Sequence, residues 1–338
     1  MRRVWAGVAA VSMLMAACSD ATKPQSSAGS GRPLPLRPIG ELMLPGNGSR
    51  FDYASIDSGR GLLFIAHLGA SEVIEVDLHA GTVVRTIRNL PQVHGVLVVP
   101  ELHRLFATAT GENRMVTLDE DTATVLNRVP TGEYPDGLAY DPKRNAVWTT
   151  NETGGSETVI GAAGGEVRGR VDVGGEAGNV AYDSILDRML VAVQGRGDLA
   201  VIDPATLAVV RRIALAGCEH PHGLALDPPN GTAFVACDGN ATVLSLDIAT
   251  GRVTSTNQVG DGPDVVAYDL GAHRLYVASE SGEVSLLNSD QGKLTPAGSA
   301  HLADGAHVVA VDPTTHRSYY PVPSGSDGRP ALLERAPT

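Results

Sequence analysis

The chain has 338 residues, 43% of them hydrophobic and 19% charged, with 39 glycines and a formal charge of −12. That balance excludes a disordered chain and fits a packed protein with many tight turns. The acidic excess, with no basic stripe, argues against a nucleic-acid partner, because phosphate binding needs clustered Lys and Arg.

In chain order, Arg2 and Arg3 precede an apolar run from Val4 to Ala17 that is too short to span a bilayer stably and reads as an export leader over 1–17. The run closes on Leu14-Met15-Ala16-Ala17-Cys18. Small residues ahead of a cysteine resemble the bacterial lipobox, which implies cleavage before Cys18 and its lipidation; an ordinary cleavage site that happens to contain a Cys is the alternative. Ser19 implies, by the same resemblance, the outer membrane over inner-membrane retention. Residues 18–37 are rich in Ser, Gly and Pro without apolar periodicity, so a flexible tether is expected. The expected location is the bacterial cell envelope, lipid-anchored to the membrane through Cys18, periplasm-facing or at the outer membrane.

A repeat of about forty residues then dominates residues 38–338. Strand-like openings recur as Phe51-Asp52-Tyr53, Val93-His94-Gly95, Pro135-Asp136-Gly137 and Ala177-Gly178-Asn179, and then as Pro221-His222-Gly223, Pro263-Asp264-Val265 and Ala306-His307-Val308. Most run on to an Asp that opens a turn (Asp57, Asp141, Asp183, Asp227, Asp269, Asp312), followed by a second β-rich run such as Arg274-Leu275-Tyr276-Val277-Ala278. Third and fourth strands complete each unit. The last unit is one strand short, whereas Ile39–Leu44 precedes the first unit without a partner, so the two are expected to complete one blade. The fold class expected is all-β: a seven-bladed β-propeller of four-stranded antiparallel blades, closed by an N-terminal strand, and monomeric.

The Pro-x-Gly openings and Tyr276-Val277-Ala278-Ser279 resemble the YVTN-type propellers of bacterial periplasmic and surface proteins, over about residues 38–338. The resemblance is specific for fold. For function it leaves binding proteins, scaffolds, lactonases and lyases open.

Aligned by repeat, the openings place Asp52, His94, Asp136, Gly178, His222, Asp264 and His307 at the mouth of the central channel. With roughly 51° between blades, His94, His222 and His307 stand about 154°, 103° and 103° apart, close to three-fold spacing. Such histidines could coordinate a divalent metal (Ca, Zn or Cu), with Asp238 and Cys237 as further candidates. Alternatively, the same residues merely line a wet channel. Gly178 leaves an expected gap for entry, beside Asn179. The ends of the second strands add His67, Asn151, Gln194, Asp238 and Glu280, a mix that resembles in type the metal rims of gluconolactonase-like propellers.

In the fifth unit, Cys218-Glu219-His220-Pro221-His222 faces Cys237-Asp238. A Cys218–Cys237 disulfide is expected in an oxidising compartment, although hairpin register places Cys237 nearer His222; a soft-metal site from Cys218, His220, His222 and Cys237 is the alternative. The leading expectation is a small ligand or divalent metal bound at the axial face by Asp52, His94, Asp136, Asn151, Asn179, His222, Asp264, Glu280 and His307. A metal-dependent hydrolase or lyase of lactonase type, with His222 as catalytic base, is the second, and a protein-interaction scaffold without metal the third.

Overall fold

A computed structural model describes residues 31–338, and the expected leader and Cys18 lie outside them. Seven four-stranded antiparallel sheets follow one another around a central axis. Blades 1 to 6 run Ala54–Ile87, Val93–Pro130, Pro135–Asp172, Ala177–Ala214, Pro221–Gln258 and Pro263–His301, each with its first strand innermost. Blade 7 takes three strands from the C-terminal part of the chain, and Leu36–Met43 is its outermost strand, antiparallel to Ala331–Pro337. The expected closure is therefore present, and it joins the two ends of the propeller in one sheet.

Local chemistry explains the hairpins. Asp57, Asp141, Asp183, Asp269 and Asp312 each accept backbone N–H bonds from the turn that follows. Four residues after each of these acids, or after its counterpart in blades 2 and 5, stands Gly61, His103, Asn145, Asp187, Gly231, His273 or His316, all with φ between 48° and 66°. Glycine adopts that left-handed conformation freely, and Asn, Asp and His tolerate it better than branched residues do. Three of the ten histidines are thus turn residues.

The hydrophobic core lies between blades. Phe64, Phe106, Trp148, Leu190, Phe234, Tyr276 and Tyr319 occupy one equivalent position in the second strand of successive blades, and all are buried. Each belongs to a different apolar cluster, formed with the next blade round the ring. Opposite them on the inner strand, Ala139, Ala181, Ala225, Ala267 and Ala310 provide room. Burying one such large side chain contributes about 1.5–3 kcal/mol, so every interface shares in holding the ring closed.

Residues 32–35, at the end of the segment expected as a tether, lie against blade 6. Ser299 donates its N–H to the Arg32 carbonyl at 3.1 Å, and Pro33 bridges Ser299 in parallel. Residues 32–35 thereby run along the outer strand of blade 6 and cover its edge, which an unpaired strand would otherwise leave open.

Candidate functional site

The inner strands of blades 2 to 6 all shift register at the same place, between Val93 and Val96, Pro135 and Leu138, Ala177 and Val180, Pro221 and Leu224, and Pro263 and Val266. The repeated ring position sits in that bulge, which re-aims its side chain at the axis. Asp52, His94, Asp136, His222 and Asp264 line a single cavity of about 430 Å³, with Arg50, Tyr53, Gln92, Tyr134, Glu152, Gln194, Asp238 and Glu280 among the other lining residues. The volume suits a small ligand.

Two residues between the blades organise this cup. Arg50 Nη2 lies 3.2 Å from Asp52 Oδ1 and 3.4 Å from Asp264 Oδ2, and its Nη1 donates to Glu280 at 2.6 Å. Tyr53 donates its hydroxyl to Asp136 Oδ2 at 3.2 Å, and its oxygen lies 3.4 Å from His222 Nε2. Tyr53 also borders a second chamber of about 370 Å³, whose lining includes Asn179, Val180, Leu224 and Val265. Tyr53 lines both cavities.

The three ring histidines differ in role. His94 donates Nδ1–H to the Gln92 carbonyl at 2.8 Å, which leaves Nε2 to accept the Tyr134 hydroxyl at 3.1 Å. His222 Nε2 stands 3.2 Å from Asp264 Oδ1. Burial opposes its charge, but the hydrogen bond to Asp264 and the charges of Asp264, Asp136 and Glu152 outweigh it and push its pKa up to about 10. His307 is buried, bonds through Nε2 to the Phe51 carbonyl at 2.9 Å, and is pushed down by burial. Among the carboxyls, burial and then neighbouring Asp136 push Glu152 up to about 7. Burial followed by like charges raises Asp52, and burial also raises Asp136 and Asp238. Asp264 alone of the ring acids goes down, because its bond to protonated His222 outweighs burial.

Several expectations change accordingly. His94, His222 and His307 do not converge on one ion: Nε2 of His222 is bonded to Asp264 and Nε2 of His307 to the Phe51 carbonyl, which leaves only His94 with a lone pair, on the Nε2 that accepts the Tyr134 hydroxyl. His222 does not fit a general base, since an imidazolium has no free lone pair. Cys237 is joined to Cys218 in a disulfide, with Cα atoms 5.2 Å apart, so it offers no thiolate to a metal. Gly178 opens no entrance: a Cβ there would lie 2.9 Å from the His222 Cα, so glycine serves the close approach of blade 5.

Asn151 is buried in bonds to Gly132, Ser156 and Thr158, and His67 is buried in a stack with Phe51, so neither reaches the cup. The cup-facing residues are their successors, Glu152 and Leu68, aligned with Gln194, Asp238 and Glu280. A one-residue slip in strand register turns a side chain to the opposite face. Arg50, Gln92 and Tyr134 also line the cup, and they share the repeat position two residues before the ring, a signal present in the aligned repeats. Tyr53 stands where three blades carry Gly95, Gly137 and Gly223, and a large residue at a glycine position was a readable sign of space filling.

No protein-family model matches this sequence, and no curated protein matches it. Solved structures do match in shape. Kuenenia stuttgartiensis hydrazine synthase shares 15% identity with a TM-score of 0.72, covering 83% of this chain and 94% of that one. The structure of U3-55K gives 11% identity and a TM-score of 0.75 over 89% of this chain and all of the other. The WD40 repeats of RRP9 give 10% and 0.76, over 89% and 99%. At such identities the likeness is one of fold, and it establishes the chain as a seven-bladed β-propeller.

Proposed function

We propose that this propeller binds a small cationic ligand, an organic cation or a divalent metal ion, in its axial cup. One observation carries the reading: Asp52, Asp136, Glu152, Asp238, Asp264 and Glu280 line a single cavity in which Arg50 is the one Lys or Arg. Low-dielectric walls concentrate the field of such a cluster, and cations are drawn to it in preference to anions or neutral molecules. Arg50 and His222 offset part of this charge, which keeps the free cup stable. The leader, the lipobox-like Cys18 and the YVTN-type repeat support placing this binding function at the bacterial envelope, on a lipid anchor.

Isothermal titration of the purified propeller with a panel of polyamines, quaternary ammonium compounds and divalent ions tests the reading. The expected result is saturable binding that weakens with salt and falls at least about tenfold when Glu152→Gln and Asp238→Asn are combined. Absence of binding across the panel, or binding indifferent to both substitutions, overturns it in favour of an interaction scaffold. Loss of palmitate incorporation in Cys18→Ser is the expected outcome for the anchor.

A further inference from the structure

We propose that Asp52, His94 and Asp136 seat one divalent transition-metal ion on the floor of the cup. The proposal rests on the cationic-cup reading and names its most specific occupant. One donor atom from each residue lies within 4.8 Å of the others, and all three residues are buried. The histidine is arranged as a metal ligand requires: its Nδ1–H is held by the Gln92 carbonyl, so Nε2 carries the lone pair, which accepts the hydroxyl of Tyr134 at the rim of the cup. Each carboxylate keeps an oxygen for the ion. Arg50 bonds only Oδ1 of Asp52, and Tyr53 bonds only Oδ2 of Asp136.

A second triad, Asp52, Asp264 and His307, meets the same distance criterion but is already served. Arg50 Nη2 lies between its two carboxylates, and His307 Nε2 is bonded to the Phe51 carbonyl. In the first triad, among the described residues, no Lys or Arg forms a salt bridge with Asp136. One imidazole and two carboxylates suit Zn, Mn, Co or Fe(II) rather than thiol-seeking Cu(I), and three protein ligands beneath an open cup leave coordination positions for water or a second ligand. Tyr134, 36% exposed at the rim, must withdraw its hydroxyl from His94 Nε2 as the ion enters.

The untagged chain, stripped with chelator, is titrated with Co²⁺ and followed by visible absorption, and a Co²⁺-soaked crystal is measured at the cobalt edge. The expected result is one equivalent bound, an anomalous peak between Asp52, His94 and Asp136, and affinity reduced at least about tenfold in His94→Gln and in Asp136→Asn. His301→Ala, which removes an exposed His301–Asp304 pair, leaves affinity unchanged. The anomalous peak needs no variant, so the test survives a substitution that fails to fold. A peak elsewhere, or unchanged affinity in folded ring variants, overturns the metal seat. Failure of Co²⁺ while spermidine still binds in a Glu152-dependent manner overturns the seat and keeps the cup; failure of both overturns both.

Discussion

Replacing Glu157 with leucine should make this protein more stable, and the reason is local. Glu157 lies in the third strand of blade 3 and faces blade 4, where the equivalent positions of other blades hold Val73, Met115, Leu199, Val243 and Val284. Its side chain is fully buried, and neither carboxyl oxygen has a hydrogen-bond partner. Leaving a buried polar group unpaired costs about 1–3 kcal/mol, and replacing even paired buried ions by apolar groups of similar volume is neutral to stabilising by about 1–4 kcal/mol. Glu157→Leu, similar in volume, should therefore gain about 3 kcal/mol. For roughly 300 residues the unfolding entropy is about 0.6 kcal/mol per degree, so Tm should rise by about 5 °C. Burial pushes the Glu157 carboxyl well above its ordinary 4.5. The folded chain then keeps a proton that the unfolded chain releases. Stability is full below about pH 4.5 and falls as pH rises, by at most about 1.4 kcal/mol per unit until the raised value is passed. Urea unfolding of both proteins from pH 4 to 8 should show curves that diverge as pH increases. Parallel curves, or a less stable variant, would mean that Glu157 has a partner in the fold and would refute this account.

The remaining predictions address the cup and the ring. Protonated His222 should stabilise the fold fully below its ordinary 6.5, with the contribution lost as pH rises through about 10; ¹⁵N NMR should find both ring nitrogens protonated at pH 8, and Asp264→Asn should return the titration toward neutrality. The Cys218–Cys237 bridge closes a loop of 19-residue separation, so Cys218→Ala with Cys237→Ala should lower stability by about 3 kcal/mol in urea, a loss that reductant should mimic in the parent protein. At Gly95 and Gly223 an added Cβ would collide with the carbonyls of Asp136 and Asp264 on the next blade; either alanine variant should cost at least about 2 kcal/mol, and equal midpoints would show that the blades can yield.

The blades were legible because their chemistry repeats. Turn-forming Asp141 or Asp269, the left-handed residue four positions later, and the alternating strands all perform one task in each unit, so alignment alone locates them. The ring position was equally visible, and its bulge does aim Asp52, His94, Asp136, His222 and Asp264 into one cavity. Angular spacing could not show which nitrogen each imidazole turns inward. That depends on partners remote in sequence, such as Tyr134 for His94 and Phe51 for His307. The errors at Asn151 and His67 have a different origin, since a strand end read one residue early presents the wrong face.

Agreement between blades thus marks what builds the ring, and disagreement marks what the ring is for. The position two before the ring carries Arg50, Gln92, Tyr134, Glu176, His220, Gly262 and Gly305. A purely architectural site would not need that range, because at least five of these residues share the same left-handed backbone turn. Three of them reach the cup, where Arg50 neutralises one group of acids and Tyr134 caps the histidine of another. Likewise Tyr53 stands where three other blades carry glycine, and its hydroxyl bonds Asp136 and lies 3.4 Å from His222 Nε2. Charge in the cup is therefore partitioned: Asp264 and one oxygen of Asp52 are compensated from within by Arg50 and His222, while Asp136, which groups with Asp52 and His94, forms no salt bridge with a Lys or Arg among the described residues. A cation supplied from outside would complete that half, which is why the proposed metal seat and the proposed preference of the cup for cations rest on the same asymmetry.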